Sequence, residues 1–313
     1  MRILNLLHRY FSPSGSVAFW HTQLKLLSPF RWDKGCYPID FTSKINYAGP
    51  YDDAGVPLLD YKGNIGIQYN PTAVAQFGIG CLQSSSGNDD FLKKASVSGD
   101  WLIDWAERRG DQTGWLPYKF EIREAGLKSP FYSGLAQGMA YSFLIRLAFR
   151  TGELKYSDCA AELLKAMIQP VDEGGFLRIF NENVIIEEFI LDRPSVILDG
   201  WLFSIMALFD ESFYNDGPEY DSLRKLSIQS LKNLLPLYEL GYWSRTDLYS
   251  ESPKMPASKF YHKLHVIQLT CLSRHCGDQQ LGAVANRWSG YLKNPLYRCR
   301  ATGLKILLKL LRD

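Results

Sequence analysis

Leu135-Ala136-Gln137-Gly138-Met139-Ala140-Tyr141-Ser142-Phe143-Leu144-Ile145-Arg146-Leu147-Ala148-Phe149 is a run of apolar and small side chains whose single charge is Arg146. The chain then turns at Thr151-Gly152-Glu153 and continues through Tyr156 to Ile168 with polar residues on one face. A helix that is apolar all round is made to be surrounded by protein, and one polar along a single face is made to lie at a surface. The pair therefore reads as an inner helix backed by an outer one. Gly134 to Phe149 is shorter than the roughly 20 residues of a membrane span, as is Val196 to Phe209, which Asp199 interrupts. Both read as buried helices, and no transmembrane segment is expected.

The same theme recurs at a spacing of about sixty residues. An earlier copy runs from Ala73-Val74-Ala75-Gln76 through Gly87-Asn88-Asp89 to Trp101-Leu102-Ile103-Asp104-Trp105, and its Ala-Gln pair is echoed at Ala136-Gln137. A third starts at Leu198-Asp199-Gly200-Trp201, turns near Asn215-Asp216-Gly217 and continues to Leu235. The fourth runs from His262 through His275-Cys276-Gly277-Asp278 to Leu292. Four such αα-hairpins predict an all-α fold, an (α/α) toroid over residues 69–313. Residues 1–68, with short β-like runs such as Tyr37-Pro38-Ile39-Asp40-Phe41, are expected to pack on it as an N-terminal strand-and-loop segment, in one structural unit. The C-terminal Leu304 to Arg312 is expected to help close the ring, although its basic, apolar composition, like that of Ile3 to Phe11, also suits peripheral contact with a membrane surface or with glycan-assembly machinery.

Composition narrows the function classes. With 22% charged residues, a net charge of +2 and no Lys/Arg run interleaved with aromatics, the chain lacks the basic track that nucleic acid requires. The six cysteines form no CxxC pair and read as reduced packing residues. The N-terminus lacks the unbroken apolar stretch of a secretory signal, so the expected location is cytoplasmic. No EF-hand, Walker loop or HExxH helix is present, and neither metal nor cofactor is expected. A homodimer is compatible with this reading. The aromatic share of 14% is enough both to fill a core and to stack on sugar faces.

In a toroid the stretches leading into the inner helices gather at one end, so residues far apart in sequence converge there. Three of those stretches are rich in polar groups: Trp115 to Gln137, Glu187 to Gly200, and Trp243 to His265. The second holds Glu187 and Glu188 ahead of a helix start at Pro194-Ser195; the third holds Phe260-Tyr261-His262-Lys263-Leu264-His265. Taken alone, paired acids describe a solvated loop and the second cluster an ordinary helix start.

Their order along the chain adds more. Glu187-Glu188-Phe189 followed by Ser195-Val196-Ile197-Leu198-Asp199-Gly200-Trp201-Leu202-Phe203-Ser204 resembles the glucuronyl C5-epimerase stretch Glu-Glu-Tyr-Pro, then Ser-Phe-Val-Leu-Asn-Gly-Phe-Met-Tyr-Ser. Tyr69-Asn70-Pro71-Thr72-Ala73-Val74-Ala75-Gln76, Gly134 to Gly138, Leu234-Leu235-Pro236-Leu237-Tyr238 and Tyr261 to Leu269 are similar to further blocks of that family in the same order. The resemblance covers about Tyr37 to Leu292. It implies an enzyme that removes the proton at C5 of a glucuronyl unit and returns one to the opposite face, in an acidic, heparan-type polysaccharide or oligosaccharide of a bacterial glycan pathway. Such a step needs a base on one face, an acid on the other, and donors for charge developing on the carboxylate.

By resemblance, Glu188 and Tyr261 take the catalytic positions. Gln137, Glu187, Phe189, Arg245, Asp247, Tyr249, His262, Lys263, His265, Asn70 and Tyr118 are the expected substrate-binding set, with Lys263, His262 and His265 placed to orient Tyr261 or meet the substrate carboxylate. Two positions depart from the family. Phe189 lacks the phenol found there, and Thr246-Asp247-Leu248-Tyr249 replaces Tyr-Asp-Leu-Arg, with Tyr249, Arg245 and Lys259 as substitutes for the lost phenol and charge. Two other readings share the same residues: a uronate lyase, which abstracts the same proton and expels the group at C4, and a catalytically silent glycan-binding member.

Overall fold

The computed structural model describes residues 19–21, 24–110, 112–215, 220–249 and 254–312. Ile3 to Phe11, and the Asp216-Gly217 part of the third turn, lie outside them. The N-terminal segment carries the antiparallel pair β1 (Lys25–Leu26) and β2 (Ile39–Asp40), then a 3-10 turn, Thr42–Asn46, and the pair β3 (Leu58–Asp60) and β4 (Ile67–Tyr69). Helices α1 (Pro71–Ser84) and α2 (Asp89–Trp105) follow, then β5 (Glu107–Arg109) and β6 (Thr113–Trp115), then α3 (Gly134–Thr151) and α4 (Leu154–Ile168). A hairpin of β7 (Leu177–Phe180) and β8 (Asn183–Ile186) leads to α5 (Leu198–Glu211) and α6 (Asp221–Leu234). The chain ends with α7 (Lys259–Cys276), α8 (Gln279–Lys293) and α9 (Pro295–Arg312).

The architecture is the expected all-α one. Each odd-numbered helix from α1 to α7 packs on the even-numbered helix that follows it, and α1, α3, α5 and α7 pack side by side in that order. Burial explains the division: α3 is buried from Gly134 to Leu147 and α5 at nearly every position, whereas α6 buries only Arg224, Ser227, Ser230, Leu231 and Leu234. Close packing of the inner layer depends on small residues. A Cβ on Gly78 of α1 would stand 2.2 Å from the Phe143 ring of α3. One apolar core runs from Trp20 and Leu24 to Val284 and Trp288, so the N-terminal segment shares it with the helices.

That segment also occupies the seam between the two ends of the inner layer. The turn Thr42–Asn46 packs on α1, β1 packs on α7, and β1 pairs with β2 just before the turn. The last helix, α9, packs instead on α8 and reaches Pro256 O through Lys305 Nζ at 2.9 Å. The N-terminal strand β1 and the turn Thr42–Asn46 thus touch both α7 and α1, the two ends of the inner-helix series. None of the described helices is long and apolar enough to cross a membrane. The cysteines are all unpaired, and Cys276 and Cys299 are exposed where packing residues were expected.

Candidate active site

The inner helices begin at one rim. Asn70, Ser133 and Ser258 cap α1, α3 and α7 by accepting hydrogen bonds from the backbone N–H groups of Ala73, Ala136 and Tyr261. At α5, Leu198 N–H donates to Thr246 O instead. The N-terminus of an α-helix carries the positive end of its dipole, which favours an anion placed against it.

Glu187 and Glu188 reach this rim on the end of the β7–β8 hairpin. Asn181 and Glu182 both have positive φ, the two-residue turn whose twist suits such a hairpin. The extended backbone carries on past β8: Glu187 N–H donates to Phe176 O, Gly134 N–H donates to Glu188 O, and Phe189 bridges to Ser133. Alternation along an extended chain then sends the two carboxylates in opposite directions. Glu187 is 0% exposed. It pairs with Arg178 at 3.3 Å and accepts from Ser195 N–H, Ser195 Oγ–H and Val196 N–H at 3.0–3.2 Å. Burial nonetheless lifts its carboxyl above the ordinary value, with those partners pulling the other way. Val196 holds a left-handed φ of 45°, costly for a β-branched residue, and is pinned by Glu187 on one side and by Tyr238 O–H donating to Val196 O at 2.6 Å on the other. This loop puts the start of α5 at Leu198, where the third repeat was read to begin, and not at Pro194-Ser195.

Glu188 points the other way, half-buried, against the first turn of α5. Burial, then Asp199, then Glu187 raise its carboxyl well above the usual glutamate range. Tyr118 and Tyr261 both lie close enough to feel its charge, and Tyr61 acts on both phenols. Tyr118, Tyr61, Asn70 and Thr72 form one network: Asn70 Nδ2 donates to Tyr61 Oη at 2.6 Å, Tyr118 O–H donates to Asn70 Oδ1 at 3.3 Å, and Thr72 Oγ1 lies 2.9 Å from Tyr118 Oη. Burial raises the Tyr118 and Tyr261 phenols far above the usual tyrosine value, and for Tyr261 the negative charges of Asp199 and Glu188 add to it. Both are held as proton donors.

The start of α7 is organised from beneath by Ser244. Its backbone N–H donates to His262 Nδ1 at 3.1 Å, so the His262 proton sits on Nε2 and is donated to Trp288 O at 3.0 Å. The Ser244 hydroxyl lies between the two rings, 2.7 Å from His262 Nδ1 and 2.9 Å from His265 Nδ1. His265 Nε2 faces Asp199 Oδ1 at 3.7 Å. Asp199 faces the buried histidine and also acts by its charge on the two half-buried groups, Glu188 and Tyr261. Above them, His21 Nε2 lies 3.4 Å from Tyr261 Oη and its ring packs on Phe260. Buried Lys44 donates to Phe19 O and Trp20 O at 3.3 and 2.9 Å, fixing the turn that carries His21.

Comparison with known proteins now has a geometry to explain. The sequence profile of the D-glucuronyl C5-epimerase C-terminus matches residues 109–290, more than half of the chain and the part that carries Glu188 and Tyr261. The chain belongs to the D-glucuronyl C5-epimerase family. It is 30% identical over 214 residues to a D-glucuronyl C5-epimerase of Caenorhabditis elegans, a match spanning 62% of this chain and 34% of that protein, so it corresponds to about a third of the length of the nematode relative. It is also 25% identical over 210 residues to an uncharacterized protein of Methanocaldococcus jannaschii, covering 63% of this chain and 67% of that one. Among solved structures, a glycoside hydrolase family 76 mannosidase of Bacteroides thetaiotaomicron superposes with a TM-score of 0.52 at 11% identity, over 80% of this chain and 69% of that one. At that identity the likeness is one of fold.

Of the residues expected from the epimerase family, the structure brings Glu188, Tyr261, Asn70 and Tyr118 to one place. Others it corrects. Gln137 is buried and spends its amide on Leu116 N, Gly114 O and Leu163 O, so it braces β6 and α4 and does not face a substrate. Glu187, His262 and His265 are likewise 0% exposed and act behind the site. Arg245 is buried beside Tyr238, its backbone bridging Pro256, and supplies no exposed cation. Lys263 lines a separate cavity at the N-terminal seam. Asp247 accepts from Tyr249 N–H in a local turn, and Phe189 packs edge-on against Phe131. Tyr61, Tyr118 and Tyr261 are phenols that share the surroundings of Glu188. Tyr61, His21, Thr72 and Asp199 escaped sequence reasoning. Thr72 and Asp199 lie inside the quoted blocks that resemble the family, Tyr61 lies nine residues before Asn70, and nothing in the sequence marked His21.

Proposed function

We propose that this protein inverts C5 of glucuronyl units in an acidic glycan, with Glu188 and Tyr261 exchanging the proton from opposite faces of the sugar. The observation carrying this reading is that a carboxyl and a phenol from different hairpins stand partly exposed at one rim, near enough for the charge of Glu188 to raise the Tyr261 phenol. A carbon acid beside a carboxylate is very weak, so a base with a raised pKa is better matched to it than an ordinary glutamate. Glu188 meets that need once ionised. Tyr261, kept protonated by burial and nearby acids, is suited to return a proton, and His21 is placed to reload it. The helix N-termini at the rim supply the favourable potential for charge developing on the substrate carboxylate.

The test is C5 hydrogen exchange in deuterated buffer, read by NMR on a glucuronate-containing oligosaccharide. Wild type should wash deuterium into C5, and Glu188→Gln and Tyr261→Phe should each abolish it. Unchanged exchange in both variants overturns the assignment. An ultraviolet-absorbing unsaturated uronate would make the protein a lyase, and binding without exchange a silent member.

A further inference from the structure

Asp199 lies in the first turn of α5, one residue before the Gly200 backbone against which Glu188 leans, and is 3% exposed. The start of a helix favours negative charge there, yet among the described residues this carboxylate forms no ion pair with a lysine or arginine. The group facing Asp199 Oδ1 is His265 Nε2, 3.7 Å away, and neither atom has a hydrogen-bond partner. A buried imidazole nitrogen and a buried carboxylate oxygen that face each other are favourable only with a proton between them, so each is the other's partner across a gap slightly longer than a hydrogen bond. The histidine is itself anchored, with Nδ1 2.9 Å from Ser244 Oγ, and Gln268, further along α7, donates to Asp199 O at 2.9 Å. Asp199 is thus held at backbone and side chain by α7, the helix that carries Tyr261.

Glu187, the other acid beside Glu188, is different: Arg178 and three donors in the loop before α5 meet its charge. Asp199 is the largest charge acting on Glu188 and on Tyr261, and it is felt by Tyr238 as well. The other titratable neighbours are Glu187 and Tyr118 at Glu188, and Tyr61 and His21 at Tyr261. In the family stretch that this chain resembles, the position is asparagine, which has the same shape without the charge. We infer that Asp199 is a positioning residue of the site: held against His265, its carboxylate is the fixed charge that governs proton exchange at both Glu188 and Tyr261. Its catalytic consequence rests on the proposed exchange between those two groups; its control of the Glu188 carboxyl does not.

The test follows the Glu188 carboxyl in the substrate-free protein by carbon-13 NMR of glutamate-labelled samples across pH, the signal being assigned from its loss in Glu188→Gln. Asp199→Asn keeps the shape and removes the charge. The Glu188 midpoint should fall by about one pH unit, and both limbs of the C5-exchange profile should move to lower pH, since the same charge acts on Tyr261. A residue that served packing alone would lower activity and leave the midpoint and both limbs in place, and that result overturns the inference, as does a midpoint that rises. His265→Gln retains the charge and removes the ring that holds it, so the midpoint should move in the same direction by less. Where Asp199→Asn does not fold, this variant decides, and a midpoint equal to wild type overturns the inference. A lowered Glu188 midpoint with no C5 exchange in wild type removes the epimerase reading and keeps Asp199 in control of the acid; exchange in wild type with unmoved midpoints does the reverse.

Discussion

The carboxyl of Glu188 lies directly against the backbone of Gly200: a Cβ at position 200 would stand 2.5 Å from Glu188 Oε2 and 2.7 Å from its Cβ. Helical backbone at that point has no need of glycine, so Gly200 is explained by the side chain it admits. Gly200→Ala should leave the helical fold intact, by circular dichroism, while displacing Glu188. A shift of about 1 Å in a reacting group costs about a hundredfold in rate, so C5 exchange should fall by that order. Retention of full exchange would show that Glu188 has room to move without consequence.

Glu187 should matter for stability and, through it, for catalysis. Glu187→Ala removes the partner of Arg178 and of three donors in the loop before α5, and frees the strained Val196. Breaking such a buried pair costs about 3 kcal/mol. Urea denaturation should reveal that loss, and exchange should fall with it because Glu188 is the next residue on the same strand end. A variant as stable as wild type would show the loop to be held by other contacts.

The pH profile should carry the signature of both proposed proton-transfer groups. Glu188 must be ionised to accept a proton, and its pKa is raised, so activity should be lost as pH falls through a value above the ordinary glutamate range. Tyr261 must be protonated to donate, and its pKa is also raised, so the alkaline limb should lie above that of an ordinary tyrosine. An acid limb at the usual glutamate value in kcat/KM would mean that Glu188 is solvated like a surface residue or is not the base.

His262 makes stability depend on pH in a predictable direction. Burial first, then His265, push it from 6.5 down to about 3, so it is neutral in the fold while the unfolded chain takes up a proton below pH 6.5. Its contribution is whole above pH 6.5 and is lost progressively as pH falls toward 3. Urea midpoints at pH 7 and pH 5 should separate more in wild type than in His262→Gln, which is less stable at both. Equal separations would exclude this histidine as a source of acid sensitivity.

The helical pattern was legible along the chain because burial on all sides demands an unbroken apolar run, as in α3, and burial on one side demands a polar face, as in α6. Both are local properties of side chains, readable by period alone. The placement of the site at the rim followed from the same pattern, since parallel inner helices must share an end. Which acid of Glu187-Glu188 faces outward was not readable. It depends on the register of the β7–β8 hairpin, where a slip of one residue would exchange their roles. Nor could a sequence distinguish His262 and His265, sealed by Ser244, Trp243 and Trp288, from a histidine at a surface, because burial is set by partners from other hairpins. His21 joined the candidate site only when the N-terminal segment folded across the seam, a contact between residues 240 positions apart, and for that pairing the order of residues along the chain carries no code.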